Sequence, residues 1–115
     1  MERIKKIPAV FYRTPAGGEP VRQWLKALAA KDRKVIGADV ATVEYGWPVG
    51  MPTCRPLAKG LWEVRSNLKN NRIARVLFGI VRNQMVLLHG FIKKTQKTQP
   101  DDLKLARKRL EEIET

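Results

Sequence analysis

The chain holds one cysteine and one histidine among its 115 residues. Cys54 therefore has no internal disulfide partner, and together with His89 it falls well short of the four ligands of a Cys/His zinc site. A lone thiol of this kind fits a reducing compartment and reads as a small half-buried side chain rather than a nucleophile. Long apolar runs are missing too. No window approaches the ~20 residues of a membrane span. The opening MERIKKIPAVFY carries charges but no long apolar core, so no signal peptide is expected. These absences point to a cytoplasmic protein without a membrane partner. The chain also lacks internal repeats and low-complexity tracts, and its length suits one domain spanning residues 1–115.

Acidic residues are the most telling shortage. The chain has 11 Asp and Glu against 23 Lys and Arg, a formal charge of +12. Between Val64 and Pro100 there is no acid at all, while Arg65, Lys69, Arg72, Arg75, Arg82, Lys93, Lys94 and Lys97 all fall there. Solvated strands ordinarily mix both signs, so a sheet carrying one sign suggests a polyanionic partner, nucleic acid before membrane.

The remaining residues predict an α+β fold. Ala9-Val10-Phe11-Tyr12, after Pro8, reads as a first strand at an edge. A helix opens near Glu19-Pro20, with Val21, Trp24, Leu25 and Leu28 on one face. A second follows from about Asp32, with Ile36, Val40, Val43 and Trp47 in its stripe and Lys34 and Glu44 outside it; Pro48 ends it. After the VGMPTCRP loop and a short strand at Leu57-Ala58 come three strands, Leu61–Ser66, Arg72–Arg82 and Met85–Lys93. The Arg82-Asn83-Gln84 turn implies an antiparallel hairpin. The last strand is apolar on both faces and is expected to be central. By simple alternation Met85, Leu87, His89, Phe91 and Lys93 share one face, and Val86, Leu88, Ile92 and Lys94 the other. Asp101-Asp102 suit the positive end of a final helix, with Leu103, Ala106, Leu110 and Ile113 in its stripe.

Arg75 interrupts an apolar strand between Ile73 and Leu77, where a charge is costly unless it is paired or lines a cleft. Its planar fork suits a phosphate; the alternative is an ion pair with Glu63 across the sheet. Lys93 and Lys94 end the last strand pointing to opposite faces. His89 is the meander's only side chain of near-neutral pKa, an acid, base or stacking group, or else a hydrogen-bonded core residue. Arg65 shares a face with Glu63, so a local pair competes with an RNA role. Lys69, Arg72 and Lys97 sit on turns or strand ends and read as backbone-phosphate contacts. Trp62 reads as core before it reads as a base-stacking platform.

Three motifs stand in order here: LWEVR (61–65), RIARVLF (72–78) and LLHGFIKKTQ (87–96). With EYGWPVGMPTCRPLAKG before them, they resemble the phage Gp49-like, HigB-type branch of the RelE/ParE toxin superfamily, over roughly Glu19 to Ile113. One departure is Gln99, which separates KKTQKT from the proline. The resemblance implies a compact RelE-like domain, an antiparallel sheet carrying an N-terminal helical hairpin and a C-terminal helix. It implies the toxin of a type II toxin–antitoxin pair, checked by a cognate antitoxin of helix-turn-helix type. RelE-like and HigB-like members cut mRNA on the ribosome, whereas ParE-like members inhibit DNA gyrase, and fold alone does not choose between them. By resemblance Arg75 matches a phosphate-stabilising arginine, and Lys94 the basic residue after the last strand. The expected catalytic set is Arg75, Lys93, Lys94 and His89, with Arg65, Lys69, Arg72 and Lys97 binding RNA. No metal or cofactor is expected. An alternative is a basic RNA-binding module without catalysis. With no carboxylate in the meander after Glu63, paired-carboxylate chemistry is excluded there, and charge stabilisation by cations is left as the main resource.

Overall fold

The computed structural model describes residues 4–94 and 97–114. The alternation of apolar residues sets the elements. In chain order they are β1 (Ala9–Phe11), α1 (Pro20–Ala27), α2 (Ala30–Gly46), β2 (Cys54–Ala58), β3 (Leu61–Asn67), β4 (Ile73–Val81), β5 (Gln84–Lys93) and α3 (Pro100–Glu114). Pro20 at the first turn of α1 loses nothing, because its missing N–H would have had no helical partner. The β4–β5 hairpin closes on Arg82 and Asn83, both at positive φ (50° and 62°), the two-residue turn whose twist matches paired strands. At the β3–β4 turn, Asn70 and Asn71 also take positive φ, which asparagine tolerates better than most side chains.

The five strands form one sheet in the order β1-β5-β4-β3-β2. β2 through β5 pair antiparallel as the short turns require. β1 departs from the expected all-antiparallel sheet: it lies parallel to β5, with Ala9 opposite Met85 and Phe11 opposite Leu87. β5 is therefore interior, flanked on both edges, although β4 is the middle strand.

Helices cover both faces. On one, Val21 of α1 and Ile36, Val40 and Val43 of α2 pack on Val64, Ala74, Val76, Phe78, Met85 and Leu87. Full burial of side chains such as Ile36 and Val43 contributes about 1.5–3 kcal/mol each. The rings of Trp47 and Trp62 meet edge to face at 5.2 Å and Trp62 stacks on Phe78 at 6.0 Å, so Trp62 serves the core. On the opposite face Ala106 and Leu110 of α3 cover Leu61, Leu77, Leu88 and Phe91. Gly79 lets α3 lie close, since a Cβ there would come within 2.8 Å of Leu110. Among the described residues no helix is long and apolar enough to cross a membrane.

Two sequence expectations are corrected. Glu44, placed outside the stripe of α2, is buried: its Oε2 accepts from Ala9 N at 2.7 Å and pairs with Lys5 Nζ at 3.0 Å, mooring the N-terminal segment. Simple alternation also fails in β5. Leu77 pairs with His89 but Phe78 with Leu87, so Leu88 is an extra residue, a β-bulge. Met85 and Leu87 consequently join the α1/α2 core, while Val86, Leu88 and Phe91 join the α3 side.

A methyl at Gly90 would sit 2.5 Å from the Trp24 ring, whereas one at Gly37 on α2 would meet nothing within 4 Å. Gly90→Ala is expected to lower stability by about 1–3 kcal/mol through overpacking. Gly37→Ala is expected to raise it by about 0.5–1 kcal/mol through helix propensity. Denaturant midpoints check both.

Candidate functional site

The α3 face of the sheet begins with a carboxylate that has no access to water. Glu63 on β3 is fully buried, and three arginines converge on its Oε1: Arg55 Nε at 3.2 Å, Arg75 Nε at 3.4 Å and Arg65 Nε at 3.6 Å. Their strands bring them together, because Arg55 lies opposite Glu63 and Arg75 opposite Arg65 in the ladders. The other oxygen, Oε2, accepts from Thr98 Oγ1 at 2.6 Å. Arg75 Nη1 donates to the carbonyl of Lys97 at 3.2 Å. A buried charge is tolerable only when paired and hydrogen-bonded in this way.

Arg75, the expected phosphate ligand, is found in the ion pair with Glu63 that was its alternative reading. Its side chain is 0% exposed and its guanidinium is committed to Glu63 and the Lys97 carbonyl, so a phosphate does not reach it in this conformation. Burial pulls its pKa below the ordinary value, opposed by Glu63 and helped by Arg65 and Arg55. Arg65 keeps 15% of its side chain exposed and lines an open groove of about 400 Å³ with Val35, Asp39, Pro52, Thr53 and Asn67. Burial and the Glu63 carboxylate push the Cys54 thiol up to about 11, which makes it a core residue and a poor nucleophile.

The accessible part of the face is built on β5 and α3. His89 and Lys93 do share it, with Phe91 between them in sequence: the His89 ring lies 5.3 Å from the Phe91 ring, and Lys93 Nζ lies 5.1 Å from that ring's centroid. Both meet a residue that the sequence reading assigned only to the helix dipole. Asp102, in the first turn of α3, binds His89 Nε2 through Oδ1 at 2.8 Å and Lys93 Nζ through Oδ2 at 2.9 Å. Desolvation pushes the Asp102 carboxyl up, but hydrogen bonds from Lys93 and His89 outweigh it and hold the group below its ordinary value of 3.8. An ionised carboxylate only accepts, so Nε2 is the nitrogen that carries the hydrogen, and in the neutral form of the ring Nδ1 is the lone-pair nitrogen. Nδ1 has no hydrogen-bond partner among the described residues. His89, Asp102 and Lys93 remain 18%, 15% and 37% exposed, a half-open cluster. The stretch between Val64 and Pro100, which has no acid of its own, thus receives one in space from α3.

The other expected residues separate. Lys94 is exposed and lines a different groove with Asn67, Leu68, Asn71, Arg72 and Ile73 at the β3–β4 turn, away from His89. Arg72 binds Asp32 at the start of α2 with two nitrogens, at 2.9 and 3.1 Å, which ties that turn to the helix. The pairing holds the Asp32 carboxyl below its ordinary value. Lys69 and Lys97 are exposed. No group of three His, Cys, Asp or Glu side chains among the described residues is arranged to hold a metal ion. A single alternation rule could not have found Asp102, because it arrives from a helix beginning seven residues after the strand ends.

Replacing Glu63 by Ala strands three guanidinium groups around an empty site and is expected to cost about 3–5 kcal/mol. Glu63→Gln retains an acceptor for Thr98 and is expected to cost less; urea unfolding ranks the two. Asp102 has a folded pKa below its unfolded one, so its contribution is complete above the unfolded value and fades as pH falls through the folded value. Asp102→Asn should therefore lower stability at neutral pH, and its gap from the parent should close as the solution is acidified below about pH 4. Thermal melts across pH 2.5–7, roughly the range over which carboxylates titrate, test this.

No curated protein gives a significant match to the chain. The profile of the phage-derived protein Gp49-like family (DUF891) matches residues 23–111, which takes in α2, all of β2–β5 and most of α3. This family lies within the RelE/HigB-like toxin superfamily, and its members are commonly toxins of toxin–antitoxin systems, paired with an antitoxin. With the open-edged, mostly antiparallel sheet and the C-terminal helix in place, the chain belongs to the Gp49-like family of phage-derived proteins.

Proposed function

We propose that the chain is the toxin of a type II toxin–antitoxin pair and that it cleaves mRNA on the ribosome without a metal ion. The observation that carries the reading is the His89–Asp102–Lys93 cluster, half open at the edge of a strongly basic face. Asp102 fixes the imidazole with Nδ1 as its accepting nitrogen, the arrangement by which a carboxylate orients a general base. Nδ1 would take the 2′-hydroxyl proton as O2′ attacks the adjacent phosphorus. The P–O5′ bond then breaks, leaving a 2′,3′-cyclic phosphate and, once the leaving oxygen has gained a proton from Lys93, a 5′-hydroxyl end. The Lys93 ammonium also faces the charge that builds on the phosphoryl oxygens. Arg75 acts from beneath, holding Glu63 and adding buried positive charge. Lys94, Lys69 and Lys97, with the exposed edge of Arg65, would meet ribosomal and messenger RNA backbones. The ribosome would present the message and compensate for a small catalytic set. A helix-turn-helix antitoxin is the proposed cognate partner, and the cytoplasm the place of action.

A second reading, a ParE-like inhibitor of gyrase or an RNA-binding module without chemistry, draws support from Arg75. An arginine enclosed by Glu63 is explained by folding alone and requires no substrate. The three readings separate cleanly in the laboratory. Brief induction followed by 5′-end mapping should place breaks within A-site codons, and His89→Gln or Lys93→Ala should reduce cleavage on programmed ribosomes by about 10²–10⁴-fold. Growth arrest with intact messages and a blocked supercoiling reaction would favour the gyrase reading; binding of ribosomes with neither effect would favour the inert module.

A further inference from the structure

The first turn of α3 has to place Asp102 within hydrogen-bond reach of two side chains at once, 2.8 Å from His89 Nε2 and 2.9 Å from Lys93 Nζ. The apolar stripe of the helix does not provide that accuracy. Leu103, Ala106 and Leu110 hold α3 on the sheet through contacts that have no direction, and the helix's directional bonds to the sheet, Arg109 Nη1 to the Leu88 carbonyl at 2.7 Å and Tyr12 to Glu112, lie in its second half and leave the first turn to be set separately. A directional anchor lies just upstream. Thr98 is 5% exposed and donates Oγ1–H to Oε2 of the buried Glu63 at 2.6 Å. Its neighbour Lys97 offers its carbonyl to Arg75, so the same ion pair grips the chain at two consecutive residues. Between Thr98 and Asp102 stand Gln99, whose carbonyl accepts from Asp102 N at 3.1 Å, and Pro100, whose φ is fixed by its ring. The link from anchor to carboxylate is short and stiff, and the β-branched Thr98 has few rotamers with which to let go.

We propose that Thr98 is a positioning residue: through Glu63 it sets the first turn of α3 so that Asp102 holds His89 in one tautomer. The proposal rests on the reading of His89 as the base only for its effect on cleavage, not for the geometry. Because His89 is the only histidine in the chain, ¹⁵N-detected imidazole spectra report it without assignment ambiguity. In the neutral form of the ring the parent should show a single Nε2–H tautomer, and Asp102→Asn a mixture.

Thr98→Val and Thr98→Ala, which remove the donor with and without matching volume, should both give the mixture. Thr98→Ser keeps the donor and should give the parent spectrum. Ile36→Val, on the opposite face of the sheet, loosens the core and should leave the tautomer alone, which separates positioning from general destabilisation. On programmed ribosomes the Val and Ala variants should lose about ten- to a hundred-fold in kcat with KM unchanged. A parent-like His89 spectrum in folded Thr98→Val or Thr98→Ala overturns the proposal, as does a spectrum that Asp102→Asn fails to alter. If the spectra behave as stated while the parent cuts no message, the function fails and the positioning role stands.

Discussion

One buried carboxylate organises the α3 face of this molecule. Glu63 lies inside a sheet where a lone charge would cost several kcal/mol, and it is tolerated because Arg55, Arg65 and Arg75 surround one oxygen and Thr98 satisfies the other. The converse holds equally. Arginines on adjacent strands would repel one another without it, and the Arg65–Arg75 register of β3 and β4 places them side by side. Four segments that are distant in sequence are therefore committed to one point: β2, β3, β4 and the approach to α3. Apolar packing alone would hold the sheet and helix together but would leave their relative setting soft.

The charge distribution follows from that arrangement. Three guanidiniums against one carboxylate leave an excess of positive charge under the face, most of it out of reach of solvent. Closer to water, Asp102 offsets part of the charge of Lys93 while keeping the His89 ring in a fixed orientation. The basic character that is plain in composition is thus divided between a buried layer, a partly neutralised cluster and the exposed lysines Lys69, Lys94 and Lys97. Only the outer portions can exchange condensed counterions with a polyanion.

Element types were legible in the sequence because the apolar spacing is regular: the stripe of α2, the three meander strands and the Arg82-Asn83 turn all lie where periodicity and turn chemistry put them. The Glu63–Arg75 pair was legible as an alternative, since a charge inside an apolar strand calls for a partner. Three features were hidden for physical reasons. The bulge at Leu88 breaks a rule of two that no residue type announces, and it moves Met85 and Leu87 to the other core. Asp102 reaches the site from a separate helix, so no local spacing relates it to His89. Glu44 looks like a solvated helix position until the N-terminal segment folds over it. Lys93 was placed correctly beside His89, because the alternation beyond the bulge is regular.

The parallel pairing of β1 with β5 has a consequence in time. The first strand to leave the ribosome can be matched only with the last strand made, and the His89 cluster waits longer still for α3 to supply Asp102. Synthesis proceeds from the N-terminus at roughly 5–20 residues per second, while strand pairing is far faster once both partners exist. The sheet is therefore complete only once β5 has followed β1 out, and the proposed site only once α3 has followed β5.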